Sequence, residues 1–117
     1  MNLFELLFGM PVSTIGAAEL NDRLKNGKRP LVIDVRQPDE YRTGHIAGAR
    51  LIPLNQLSKR MKDLPQNREI VCVCASGNRS GSATRILANA GLNAVNMKGG
   101  MNSWRHAGFP VKKGDTA

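Results

Sequence analysis

The stretch Ile70-Val71-Cys72-Val73-Cys74-Ala75-Ser76-Gly77-Asn78-Arg79-Ser80 decides the fold. Ile70 to Val73 is short, apolar and rich in β-branched residues, the pattern of a strand buried on both faces. Cys74 ends that run, and a loop of small and polar residues then carries the chain directly into a helix. Ala83, Ile86, Leu87 and Ala90 fall at i, i+3, i+4 and i+7 and mark the buried face of that helix, with Gly91 placed to terminate it. Strand, tight loop and amphipathic helix together form the repeating unit of a parallel α/β sheet. In such sheets the carboxyl end of a central strand, where Cys74 stands, is where ligands bind.

The chemistry of the loop follows from its residue types. Loop and first helical turn present unpaired backbone N–H groups toward one point, where the helix dipole and Arg79 also favour negative charge. A Cys74 thiolate is stabilised there, as is any anion attached to it or displaced by it. Gly77 permits a turn with positive φ, while Ala75 and Ser76 leave room for approach. The candidate site is therefore Cys74 with the loop Ala75, Ser76, Gly77, Asn78, Arg79 and Ser80. Cys72 lies mid-strand with no polar neighbours in sequence and reads as a small core hydrophobe.

Outward from this unit, strand-like and helix-like runs alternate. Residues 12–15 read as a first strand, and residues 17–26 as a helix with Gly16 as N-cap, Glu19 at N3 and Gly27 as terminator. A second strand is expected at 31–35, a helical turn at 39–43 and an extended segment at 50–53. Leu54, Leu57, Met61 and Leu64 mark the buried face of another helix. A last strand is expected at 94–97 and a short helix at 101–106, followed by a frayed tail.

Composition narrows the function. The chain has 117 residues, 41% of them hydrophobic, enough for one domain with a modest core. Its two cysteines are separated by one residue and cannot readily pair, and no CxxC or Cys/His array offers zinc spacing. No metal or cofactor is expected, and free thiols suit a reducing, cytoplasmic setting. The formal net charge is +8, and residues 70–117 hold six basic residues against one acid, Asp115, an excess that steers small anions. Nucleic acid is not an expected partner, because aromatic residues make up only 4% and no basic cluster alternates with stacking residues. Residues 1–10 carry Leu3, Phe4, Leu6, Leu7, Phe8 and Met10 around a lone Glu5. That segment is too short to span a bilayer and lacks the basic region and cleavage site of a secretory signal. Packing on its own domain or on a second subunit is favoured over attachment to a membrane surface, and monomer and homodimer both stay open.

Two further motifs complete the pattern. Leu31-Val32-Ile33-Asp34-Val35-Arg36 is followed by Glu40-Tyr41-Arg42-Thr43-Gly44-His45-Ile46-Ala47-Gly48-Ala49, and Lys98-Gly99-Gly100-Met101-Asn102-Ser103-Trp104 precedes Gly108-Phe109-Pro110-Val111. With the Cys74 loop between them, these resemble the signatures of the rhodanese family of sulfurtransferases. The resemblance divides the chain into an apolar extension at 1–12, the domain at 13–111 and a basic tail at 112–117. It implies a three-layer α/β/α fold whose central parallel sheet has about five strands. It also implies that the loop wraps the Cys74 sulfur with its N–H groups inward, and that Asp34 and Arg36 brace the loop region through hydrogen bonds. His45 is expected to bond to backbone, Trp104 to sit in the core and His106 on the surface.

The function implied is transfer of sulfane sulfur through a Cys74 persulfide. The donor is a small anion, thiosulfate or a related polysulfide or persulfide, and the acceptor is cyanide, a thiol or a protein. Two alternatives stand beside it. One is a non-catalytic persulfide carrier or interaction module. The other is a phosphatase or arsenate reductase of the same fold, but a related group with that chemistry uses Cys-x5-Arg, and here the spacing is Cys74-x4-Arg79. Many single-domain members carry Arg directly after the cysteine. Ala75 stands there in this chain, which predicts a weaker hold on thiosulfate.

Overall fold

The computed structural model describes residues 11–27 and 29–117, so the apolar segment 1–10 lies outside the described residues. Five strands, β1 (Thr14–Ile15), β2 (Leu31–Asp34), β3 (Arg50–Leu51), β4 (Ile70–Val73) and β5 (Ala94–Met97), form one sheet in the order β1-β5-β4-β2-β3. Every pairing is parallel, and β4 is central, with Asp34 opposite Val73 on one side and Cys72 opposite Asn96 on the other. Parallel strands need crossovers, supplied by α1 (Ala17–Arg23), α2 (Pro38–Arg42), α3 (Leu54–Arg60) and α4 (Asn78–Asn89); α5 (Gly100–His106) follows the last strand.

Alternation along β4 divides the core in two. Ile70 and Cys72 face a layer built with Leu57 of α3, Leu64, and Ala83 and Leu87 of α4. Val71 and Val73 face the opposite layer, with Leu20 of α1, Tyr41 of α2 and Met101 and Trp104 of α5. Both sides of the sheet are therefore covered, and β2 and β4 are buried at every position. The arrangement is the expected three-layer α/β/α fold. Among the described residues, no helix is long and apolar enough to cross a membrane.

Several details depart from the sequence expectation, among them the helix expected from Leu54 to Leu64, which is α-helical only as far as Arg60 and tightens into a 3-10 turn at Met61–Asp63. Helix α1 ends at Arg23 rather than near residue 26, because Lys25 N–H and Asn26 N–H turn to the carbonyls three residues back and tighten the last turn. Glu19 makes no cap bond with Gly16; its carboxylate pairs with Arg23, which also reaches Glu69. Ala90 is the exposed C-cap of α4 and not part of its buried face, while polar Ser80 and Thr84 are buried there.

The tail is tied rather than frayed. His45 and Lys112 exchange both backbone hydrogen bonds, Gly114 N–H donates to the Arg42 carbonyl, and Asp115 pairs with Arg42. His45 is fully buried and stacks on Tyr41, with ring centroids 3.6 Å apart. Its Nδ1 lies 2.8 Å from the Tyr41 carbonyl and its Nε2 2.8 Å from the Thr116 carbonyl, so the ring clamps the tail and bonds to backbone, as its motif suggested.

Candidate active site

Strand β4 ends at Val73, and the next residue, Cys74, is fully covered at the carboxyl edge of the sheet. Gly77 takes φ +104° and turns the chain into α4, with its own N–H donating to Cys74 Sγ at 3.1 Å. Ser80, in the first turn of α4, brings its hydroxyl oxygen to 3.2 Å from the same sulfur. Burial pushes the Cys74 thiol pKa up, but the Ser80 hydroxyl and the backbone N–H groups of Ser80, Gly77 and Ser76 outweigh it. The net effect leaves the thiol more acidic than an ordinary cysteine. Cys72, two residues earlier, has burial against it first of all and is pushed up to about 11. The two thiols thus differ by environment, not by chemistry: both are buried, but only Cys74 has hydrogen bonds that outweigh its burial and lower its pKa.

Around this sulfur the structure places the sequence-derived residues unequally. Ala75 is half-buried and Ser76 and Asn78 are exposed at the loop surface, while Gly77 and Ser80 reach the sulfur. Arg79 does not hang free over the cradle. Its Nη1 and Nη2 donate to the two carboxylate oxygens of Glu40 at 2.7 and 2.9 Å, a bidentate pair that offsets its charge. Glu40 is itself held by the Gln37 N–H at the start of α2, and the Arg79 bond, opposed by partial burial, brings its carboxyl down to about 2. Glu40 rather than the Asp34–Arg36 pair is the side chain that reaches the loop from the β2 side. Asp34 and Arg36 are both buried and bond to each other bidentately, and Arg36 Nη2 also donates to the Gly44 carbonyl at 2.9 Å. Among the described residues, neither side chain hydrogen-bonds to the loop; between them, Val35 N–H donates to the Val73 carbonyl in the sheet.

Two supports lie outside the sequence-derived set. Asn96 of β5, 7% exposed, accepts from the Ser80 hydroxyl at 2.6 Å and donates through Nδ2 to the Gly77 carbonyl at 3.1 Å. A lone amide among Ala94, Val95 and Met97 was the signal for it, since a buried polar side chain needs partners. The second is the Gly99-Gly100 pair at the start of α5. Met101 N–H donates to the Cys74 carbonyl at 2.8 Å and Asn102 N–H to the Ala75 carbonyl at 3.0 Å, so α5 holds the loop by its backbone. Gly100, at φ +57°, lets this approach happen: a Cβ there would stand 2.4 Å from the Cys74 carbonyl oxygen. Among the described residues, no three His, Cys, Asp or Glu side chains come together to hold a metal ion.

Comparison with known proteins bears on this geometry. The family model for the Rhodanese-like domain matches residues 16–107. A sulfurtransferase of Allochromatium vinosum is 34% identical over 101 residues, covering 86% of this chain and 94% of that protein. An HTH-type transcriptional regulator of Mycobacterium tuberculosis is 39% identical over 110 residues, covering 92% of this chain but only 48% of its own length. In structure, a rhodanese-related protein of Thermoplasma volcanium superposes with a TM-score of 0.80 at 38% identity, covering 86% of this chain and 97% of the other. The chain belongs to the rhodanese-like domain family. It spans nearly all of some relatives and about half or less of others, where the same domain is one part of a larger protein.

Proposed function

We propose that this protein is a sulfurtransferase that carries sulfane sulfur on Cys74. The observation that supports this best is the acidified, fully buried Cys74 thiol, whose sulfur receives hydrogen bonds from the loop that holds it. The thiolate attacks the outer sulfur of thiosulfate, or of a polysulfide or persulfide. The new S–S bond forms as the old one breaks, and the leaving group, sulfite in the case of thiosulfate, takes the electron pair. The loop N–H groups stabilise the anionic persulfide much as an oxyanion hole stabilises developing charge. A thiol acceptor, or cyanide in an assay, then attacks the outer sulfur and regenerates the Cys74 thiolate. The smaller Cys74-x4-Arg79 loop suits a sulfur atom better than a phosphate, and the reducing interior of a cell suits a site that works as a free thiolate.

A second reading, that the protein ferries sulfur between partners, shares the same persulfide and differs only in the acceptor. A Bacillus subtilis relative named as a putative sulfur carrier protein, 40% identical over 74 residues, favours keeping it. One experiment tests both against the rest. Protein incubated with thiosulfate or a thiol persulfide should gain the mass of one sulfur atom on Cys74, and cyanide should remove it as thiocyanate. Sulfur on Cys72, or on neither cysteine, refutes the proposal. Release to cyanide without release to small thiols would favour the carrier.

A further inference from the structure

The Ser80 hydroxyl has one proton and faces two acceptors. Its oxygen lies 2.6 Å from Asn96 Oδ1 and 3.2 Å from Cys74 Sγ. Turning the amide round would not end the competition, because Asn96 Nδ2 donates to the Gly77 carbonyl, and a flip would set two carbonyl oxygens against each other. Cys74 and Ser80 are fully buried and Asn96 is nearly so, which leaves little room for water to supply the missing donor. At any moment, then, only one of the two acceptors holds the proton.

We propose that Asn96 is a positioning residue, whose Oδ1 holds the Ser80 proton while Sγ is uncharged and yields it to Sγ when the sulfur is a thiolate. The proposal rests on Cys74 being the reacting atom. A neutral thiol or a bridging sulfur is a weak acceptor, and against either one the amide oxygen wins; against a charged sulfur it loses. Sulfur transfer takes Sγ through both conditions. The thiolate becomes the inner, uncharged sulfur of the persulfide, and the negative charge moves to the outer sulfur. Ser80 then turns back to Asn96, and no buried hydroxyl is left without an acceptor. Without Asn96 the hydroxyl would have only Sγ, would favour the thiolate over the persulfide, and would hold the transfer back.

The test is a cycle of four proteins: wild type, Ser80→Ala, Asn96→Leu and the double variant. Each is read by the pH midpoint of Cys74 alkylation. Arg79 and Cys72, which act on the sulfur, and Glu40 and Asp34, which act on Arg79, are the same in all four. Asn96→Leu keeps the branched shape of the side chain and removes the competing oxygen, but it also adds bulk and frees the Gly77 carbonyl; the same change in the Ser80→Ala background measures those side effects alone. Ser80→Ala should raise the midpoint. With Ser80 present, Asn96→Leu should lower it by about one pH unit relative to its effect in the Ser80→Ala background, the size of one hydrogen bond gained by a charged acceptor. Shifts that add to within about 0.3 pH units overturn the proposal. If the leucine variant does not fold, Asn96→Ala serves the same cycle. Alkylation needs no sulfur donor, so the outcome is independent of whether Cys74 carries sulfur.

Discussion

Replacing Gly100 by alanine should damage the Cys74 loop from a distance of 26 residues along the chain. The added Cβ would lie 2.4 Å from the Cys74 carbonyl oxygen and 2.6 Å from the carbonyl carbon and oxygen of Ala75. All three are backbone atoms, so no side chain can swing aside, and relief requires α5 or the loop to move by about 1 Å. Overpacking of this kind costs about 1–3 kcal/mol, and the left-handed backbone at φ +57° adds about 1–2 kcal/mol for a residue with a Cβ. Movement also lengthens the bonds from Met101 N–H and Asn102 N–H to the loop, at about 1 kcal/mol each. The expected loss is about 4–7 kcal/mol, a large share of the stability of a domain this size. Gly91→Ala is the control: φ there is +88°, but nothing lies within 4 Å of the added Cβ, so it carries the backbone cost alone. Urea unfolding should rank Gly100→Ala well below Gly91→Ala, and the folded fraction should show a raised Cys74 alkylation midpoint. Equal stabilities for the two variants, with Cys74 acidity unchanged, would refute the claim that α5 holds the loop.

Two predictions concern pH. The Arg79 bond holds the Glu40 carboxyl at about 2 instead of its ordinary 4.5, so the pair stabilises the fold above about pH 4.5 and that contribution is lost as pH falls toward 2. Both side chains are about a third exposed, which reduces the effect to about 1 kcal/mol. Urea midpoints measured from pH 5 to pH 2 should fall less steeply for Glu40→Gln than for wild type, and parallel curves would show that the pair contributes nothing. Cys72 works in the opposite direction. Burial raises its pKa from 9.0 to about 11, so its contribution is whole below about pH 9 and fades as pH rises toward 11, by about 2–3 kcal/mol in all. Cys72→Val should flatten that alkaline loss while Cys74 still takes up sulfur; a variant as alkali-sensitive as wild type would place the titrating group elsewhere.

The parts of this protein written in local patterns were readable from the sequence, and those made by distant residues were not. Ile70 to Val73 announces a buried strand by its β-branched run, and the central place of β4 with Cys74 at its end follows from the alternation of strands and helices. The partner of Arg79 is another matter. Glu40 lies 39 positions away, and only the parallel pairing of β2 with β4 sets the two side chains face to face. Asn96 and Ser80 meet across the β4–β5 pairing in the same way, and Gly100 reads as an ordinary turn residue until the loop beside it is seen. The tail misled for a related reason. Its charged, polar composition suits a solvated end, and nothing near residues 112–117 shows that a buried histidine 71 positions earlier takes the Thr116 carbonyl.

The convergence of three separate elements on the loop around one sulfur also fixes when that sulfur becomes reactive. Gly77 and Ser80 shape its surroundings from α4, Asn96 from β5, and the start of α5 grips the loop from behind. A chain emerging from the ribosome therefore has Cys74 and the residues that acidify it, Ser76 to Ser80, before it has the β5 and α5 segments that hold their loop in shape. Until β5 and α5 have docked, Cys74 is an ordinary thiol, mostly protonated at neutral pH and slow toward electrophiles. Contacts so far apart in sequence form with the cooperative closing of the sheet, not ahead of it. The rise of thiol reactivity during refolding should thus coincide with the last step in assembling the domain, which makes the nucleophile its own clock for completion of the fold.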